Sequence, residues 1–410
     1  MRALRLFLFP MLLCVCLSLK AQDLKVGTLS TDSPLVHGSG GQDHVNVSSK
    51  EAWDAEAVFK KGGAEWLLVE KDGKGLTLRT ESNKTLEDRT ALVIIHSGEE
   101  ADTLSVIQRQ DIFHRRKALE GDYTISQTFN HQNNYWIRIA AALPVPQSGM
   151  YQDITDLDTG KDSVKVSRPS LSRYIARFYD KDFPKSGTVI LRERFHAVTY
   201  QVTTDLGRIT AIVPYDTESD VYKTYTKRSG DHVVPEDPRI QSLSQRLWKE
   251  AGASPLVYAR LCYLYVAEHF KYQDPYTSLH TLDRILKEQG GDCGNLSSVF
   301  VSLMRAQKIP ARHLVMLVKE RQYHIRAEFY LAAYGWIPVD VTYKQTYPRM
   351  DFLGRTFGQE IIVSHDINLP LEIESGRTDT AVLLQTQFTR YAYRGKKGFI
   401  SFVHSFQKEP

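Results

Sequence analysis

The sequence predicts a multidomain chain in which two β-sandwiches precede an α+β core. Apolar residues alternate with polar ones in short runs from residue 22 to about 225, with Gly- and Asp-rich turns between them. Near residue 236 the apolar spacing changes to three and four residues, the period of a helix. Strand-like runs return after the helices, the order expected of an α+β unit. At 410 residues the chain is also too long for a single core.

Residues 1–21 read as an export signal. Arg2 and Arg5 form a positive start, an apolar run follows from Leu6 to Leu19, and Leu19-Lys-Ala supplies a small-residue cleavage site. The apolar run is shorter than the ~20 residues of a spanning helix, and no later stretch is long and apolar enough to cross a bilayer. The expected location is periplasmic, cell-surface or secreted. Lipid tethering through Cys14 or Cys16 is less favoured, because the preceding Leu13 and Val15 are not small. Without Arg2, Arg5 and Lys20 the formal charge falls from +4 to +1, so the basic balance does not indicate nucleic acid. Only Cys262 and Cys293 remain, too few for a disulfide scaffold. Cys262 lies on the apolar side of a helical pattern and reads as a core thiol. A Cys262–Cys293 bridge is open on sequence grounds and would disable the second thiol.

Three domains are expected after the signal: 22–110, 111–225 and 226–410. In the first, strand runs at Trp66-Leu-Leu-Val, Leu76-Thr-Leu-Arg-Thr, Ala91-Leu-Val-Ile-Ile and Thr103-Leu-Ser-Val-Ile are separated by turns. In the second, they lie at Tyr123-Thr-Ile-Ser, Tyr135-Trp-Ile-Arg-Ile, Thr188-Val-Ile-Leu-Arg-Glu-Arg-Phe and His196-Ala-Val-Thr-Tyr-Gln-Val. In the third, helices begin near Pro238 and Pro255, where a missing N–H costs nothing. A short helix from Leu282 closes at Gly290-Gly291, and a longer one runs from Cys293 to about Ala306. Strands follow at 313–318, 324–331 and 336–341.

Gly291-Asp-Cys-Gly-Asn carries the chemistry. Cys293 enters its helix from a glycine turn, where free N–H groups and the helix dipole favour a thiolate and can receive an oxyanion. Asp292 opposes this unless it turns outward as a cap. Gly294 leaves one side of the thiol unshielded. On the next strand His324, Arg326, Glu328 and Tyr330 share one face, which reads as the polar side. A turn at Gly335-Trp336 then brings Asp340 back beside His324, in reach to hold the imidazole tautomer. His313 is a competing base, but its strand has no returning acid. Gln289 and Tyr272 are oxyanion candidates, and Arg326, Glu328 and Trp336 are candidates for the substrate rim. No motif for a metal, nucleotide or other cofactor is present.

Two resemblances extend this reading. Trp66, Gly75-Leu-Thr-Leu, Asn83-Lys-Thr, Arg89-Thr-Ala-Leu-Val-Ile and Leu104-Ser-Val-Ile-Gln-Arg-Gln resemble the BACON domain, an immunoglobulin-like module named for a proposed carbohydrate-binding role in Bacteroidetes proteins. The resemblance implies a carbohydrate partner for the N-terminal domain, with Trp53 and Trp66 as stacking candidates; a plain spacer is the alternative. Phe270-Lys-Tyr, Thr281-Leu-Asp-Arg-Ile-Leu, Gly291-Asp-Cys-Gly-Asn, Arg305-Ala-Gln-Lys-Ile-Pro-Ala-Arg, His324 with Glu328, and Gly335-Trp-Ile-Pro-Val-Asp-Val-Thr resemble the transglutaminase-like superfamily over about 226–370. This implies a papain-like core with Cys293 as nucleophile, His324 as base and Asp340 as its orienter. It implies thiol acyl transfer on a peptide or carboxamide bond, as an exported cysteine peptidase or amidase. Protein-glutamine transamidation, and a non-catalytic glycan- or protein-binding protein with a vestigial triad, are the alternatives. Arg326 departs from the family, which often carries Trp two residues after the histidine.

Overall fold

Alternating burial organises the first strands into two antiparallel sheets. The computed structural model describes residues 23–409 apart from 31–32, 86, 133–135, 168–171, 183–185, 210, 274–278, 320–321, 386–387 and 395–397. The expected export signal, with Cys14 and Cys16, lies outside the described residues. One N-terminal sheet orders Lys25–Val26, Gly41–Ser48, Gly75–Thr80 and Leu67–Asp72, and the other orders Trp53–Lys61, Arg89–Ser97 and Glu100–Gln108. Val45, Leu76 and Leu78 from the first meet Val93, Ile95 and Val106 from the second in one apolar cluster. Trp66 is buried in that cluster with its ring edge-on to Phe59. The Lys71 ammonium sits 4.3 Å from the centre of the Trp53 ring. Trp66 therefore presents no face for stacking on a sugar, and Lys71 covers one face of the half-buried Trp53.

The next pair of sheets is built on long strands. Gln152–Asp158, Ser186–Thr204, Phe113–Gln132 and Phe399–Lys408 form one; Val164–Ser167, Ser172–Asp182, Trp136–Val145 and Phe388–Arg394 form the other. Two expectations change here. The runs at 188–195 and 196–202 are one continuous strand, because alternation between buried and exposed residues persists through Phe195, His196 and Ala197. The last two strands were expected within the 226–410 segment. Instead Phe399–Lys408 pairs with Phe113–Gln132, and Phe388–Arg394 pairs with Trp136–Val145. Their backbone groups complete the edges of these earlier sheets.

The strand Ser186–Thr204 turns Val189, Leu191, Phe195 and Ala197 inward, and Glu193 with them. Both Glu193 carboxylate oxygens lack a hydrogen-bond partner, and burial pushes its pKa well above the usual carboxylate range. A carboxyl raised in the folded state carries no penalty below the unfolded value of ~4.3, but the unfolded chain gains stability from ionisation above it. Stability thus falls as pH climbs from there towards the raised value. Glu193→Gln should remove this slope. Urea unfolding should show a gain of about 1–3 kcal/mol at pH 8 and none near pH 4.

In the last region, helices Pro238–Glu250 and Pro255–His269 start at proline after an Asp or Ser cap. They pack with Cys293–Ala306 against an antiparallel sheet ordered Gly335–Val339, Gln322–Leu331, Ala311–Lys319 and Ile361–His365. The expected strand at 336–341 ends at Val339, because Asp340 caps a helix Val341–Thr346. A loop from the second pair of sheets seals the far side of this sheet. The Gln152 carboxamide donates to the Ile362 carbonyl at 2.8 Å and accepts from the Ile362 N–H at 2.8 Å. Tyr151 beside it donates its hydroxyl to Glu328 Oε2 at 2.9 Å.

Candidate active site

The chain reaches Cys293 through residues chosen for tight backbone approach. Gln289 adopts the left-handed conformation (φ 49°) that ends helix Leu282–Glu288, and Gly290–Gly291 then pairs in parallel with Lys271–Tyr272. A β-carbon on Gly290 would lie 2.7 Å from the Lys271 carbonyl oxygen, so glycine is required there. Asp292 caps the next helix, its Oδ1 accepting from the Asn295 N–H at 3.0 Å. The capping side chain is itself buried, at 7% exposure, rather than turned outward to solvent. Asn295 in turn accepts from the His280 N–H at 2.7 Å and so ties the incoming chain to the helix. Gly294 has a different role from the one expected. A β-carbon there would lie 3.0 Å from Ile325 and 3.1 Å from Leu279, so the glycine admits close packing rather than opening the thiol to solvent. Cys293 is 8% exposed.

His324 and Asp340 converge on that thiol. The His324 Nε2–H donates to Asp340 Oδ2 at 2.6 Å, and the Tyr343 backbone N–H donates to Oδ1 at 2.9 Å. With Nε2 so engaged, Nδ1 is left to serve the Cys293 thiol, whose proximity favours a charged imidazole. Burial works against a charged imidazole here. The Asp340 carboxylate outweighs it, Cys293 adds to the effect, and the His324 pKa rises well above its ordinary value. The Tyr343 ring lies parallel to the imidazole, 4.5 Å away at 11°. Its hydroxyl donates to Glu360 Oε1 at 3.4 Å. Tyr343 escaped the sequence reading; its position three residues after Asp340, in the first turn of a helix, is the signal for it.

Three of the other expected site residues, Arg326, Glu328 and Trp336, make internal contacts instead. From His324 to Leu331 both faces of strand Gln322–Leu331 are buried, so the face of His324, Arg326, Glu328 and Tyr330 is not a solvent-facing polar side. Arg326 is 2% exposed, with Nη1 3.6 Å from Glu360 Oε2 and its guanidinium 4.8 Å above the Tyr151 ring. Glu328 accepts from Arg312 Nε at 2.6 Å as well as from Tyr151. Trp336 pairs opposite Tyr330, towards the turn end of the hairpin, and packs on Tyr225, Tyr330 and Arg312. None of the three forms a substrate rim. Gln289 is exposed; it and Tyr272 line a cleft of about 770 Å³ whose lining does not include Cys293.

His313 is fully buried and does have an acid, contrary to expectation. Its Nδ1 lies 3.5 Å from Asp366 Oδ1 and its Nε2 lies 3.1 Å from Ser298 Oγ. Asp366 also accepts from Arg305 Nη2 at 2.9 Å, making a closed internal network. Cys262 and Cys293 are both free thiols, and burial pushes the Cys262 pKa far up. Among the described residues, no group of three His, Cys, Asp or Glu side chains is placed to hold a metal ion.

Residues 241–341, which include Cys293, His324 and Asp340, match the transglutaminase-like superfamily. The chain thus contains a transglutaminase-like domain. Among solved structures, it resembles a chain described as a candidate cysteine protease from Cytophaga hutchinsonii, at 14% identity and a TM-score of 0.44, over 72% of this chain and 100% of that one. A candidate protease from Parabacteroides distasonis shows 10% identity and a TM-score of 0.23, over 73% of this chain and 63% of that one. An uncharacterized protein of Haemophilus influenzae is 37% identical over 12% of this chain. The match spans a fifth (20%) of that relative's length.

Proposed function

We propose that this protein is an exported cysteine peptidase or amidase working by thiol acyl transfer. Cys293 is the nucleophile, His324 the general base and acid, and Asp340 the group that orients the imidazole. The observation that carries the reading is the position of His324, held by Asp340 at 2.6 Å and close enough to Cys293, at a helix N-terminus, for the thiol to bear on the charge of the imidazole. The match to the transglutaminase-like superfamily supports it independently. In this reading two β-sandwiches precede and brace a papain-like core.

The Cys293 sulfur adds to a carboxamide or peptide carbonyl, and the oxyanion faces the Cys293 backbone N–H. His324 gives its proton to the leaving nitrogen, the C–N bond breaks and a thioester remains. Water then adds to the thioester carbonyl while His324 takes a water proton. The C–S bond breaks, a carboxylic acid leaves and the thiol is restored. An amine in place of water would make the same site a transamidase.

The reading is tested by incubating the protein with a mixed peptide library and searching for an acyl adduct by mass spectrometry. A thioester on Cys293, lost in Cys293→Ala and discharged by water, is the expected result. Discharge only by added amine would reassign the activity to transamidation. The absence of any adduct or turnover would leave the domain as a binding module and overturn the proposal.

A further inference from the structure

The second pair of sheets reaches the site through a short strap. Between the hairpin Leu369–Glu374/Arg377–Ala381 and the strand Phe388–Arg394, residues 382–385 run beside strand Ile361–His365. The Asn368 N–H donates to the Val382 carbonyl at 2.9 Å, and Ser364 Oγ donates to the Leu384 carbonyl at 2.7 Å. The strap delivers Gln385, buried at 9% exposure, to the end of the central ladder.

Met316 and His324 are cross-strand partners there, just before a register shift at Leu317 and Lys319. Gln385 Nε2 donates to the Met316 carbonyl at 2.8 Å and to the His324 carbonyl at 3.1 Å. Both neighbours are acceptors, so only the NH₂ end of the carboxamide fits. One side chain therefore supplies both donor hydrogens to the backbone on which the imidazole is mounted. The register irregularity beyond this pair leaves the ladder weakest next to His324, and the amide closes it there.

Resting on the acyl-transfer reading above, we infer that Gln385 is a positioning residue for His324: its carboxamide clamps the His324 backbone so that the imidazole stays between Cys293 and Asp340. The groups facing that imidazole are the Cys293 thiol from the helix, Asp340 beyond the neighbouring strand, and Tyr343 from the following helix, with Glu360 and Arg326 behind Tyr343. The hydrogen bonds of Gln385 go to backbone carbonyls rather than to these side chains, and it carries no charge. It acts through geometry alone.

The test reads the rate of Cys293 alkylation by iodoacetamide against pH in the full chain, for wild type, His324→Ala, Gln385→Met and Gln385→Glu. Methionine keeps the volume without donors, and glutamate sets acceptors against two carbonyls. A misplaced imidazole should slow alkylation at pH 6 by roughly ten- to a hundredfold in Gln385→Met, and further in Gln385→Glu, with much smaller changes at pH 10. Ser244→Ala, which removes a buried hydroxyl on a distant helix, controls for general destabilisation and should keep the wild-type profile. If His324→Ala alters the profile but Gln385→Met superimposes on wild type, the clamp is overturned and the acyl-transfer reading stands. The same holds if Ser244→Ala shifts it equally. A wild-type profile in His324→Ala overturns both. Should Gln385→Glu fail to fold, Gln385→Met decides alone. Should both fail, Gln385→His, which keeps one donor, replaces them and should give an intermediate profile; superposition on wild type overturns the clamp.

Discussion

Replacing His324 with alanine should slow iodoacetamide alkylation of Cys293 at pH 6 by about a hundredfold or more, and leave the rate at pH 10 within severalfold of wild type. A free thiol titrates near ~8.5 and is almost wholly protonated at pH 6, so its reaction there is slow. In the native site the proton can rest on His324, because the Asp340 carboxylate, 2.6 Å from Nε2, outweighs the burial that opposes a charged ring. Raising this pKa fixes the sign of the pH dependence. The pair contributes its full stabilisation below the ordinary imidazole value of ~6.5 and loses it as pH climbs through the raised value. Wild-type alkylation should therefore run flat through neutral pH, where His324→Ala should rise about tenfold per pH unit. Cys262 does not confuse the reading, since its thiol is fully buried and its pKa is pushed far up. A flat profile in His324→Ala would show that the histidine does not share the thiol proton.

Asp366→Ala is the variant with the largest expected loss of stability. Arg305 is 1% exposed at its side chain and reaches Asp366 at 2.9 Å, with His313 on the other carboxylate oxygen. Burial alone would raise the Asp366 pKa. The Arg305 guanidinium, helped by His313, instead holds it well below the usual range. Removing the carboxylate strands a buried cation and should cost about 3–5 kcal/mol. Asp366 also has a left-handed backbone (φ 65°), which alanine accepts poorly and asparagine tolerates. Asp366→Asn keeps a hydrogen-bond acceptor and the backbone preference, so the difference between the two variants measures more than lost charge. A depressed carboxyl stabilises above the unfolded value of ~3.9 and loses that contribution only as pH falls through the lower native value. The loss should then be constant from pH 5 to 8 in urea titrations; a deficit below about 1 kcal/mol would show that the pair gives little net stability.

What was legible in the sequence follows how far apart the interacting groups lie. The start of the Cys293 helix could be read because a glycine turn and an aspartate cap act within four residues. His324 and Asp340, 16 residues apart, could be read because a tight turn at Gly335 joins consecutive strands, although the register leaves Asp340 beyond the ladder as a helix cap rather than opposite His324. Arg326 and Glu328 misled because charges at alternate strand positions normally mark the solvent side. Here their partners Tyr151, Arg312 and Glu360 come from three other segments, and local periodicity carries no trace of them. The acid beside His313 was missed because Asp366 follows a strand on the opposite edge. The two final strands looked like part of the last region because their partners lie near the middle of the chain.

Those final strands also govern the order in which the molecule can be finished. As the polypeptide emerges, Phe113–Gln132 and Trp136–Val145 can each find one neighbour early, yet each keeps an open edge until residues 388–408 arrive. Such edges are templates for association with other chains, and contacts between distant segments form slowly. A product broken off after the last core helix would hold Cys293, His324 and Asp340 on a body with two adhesive borders. Translational completeness is therefore a condition for solubility as much as for assembly of the thiol site.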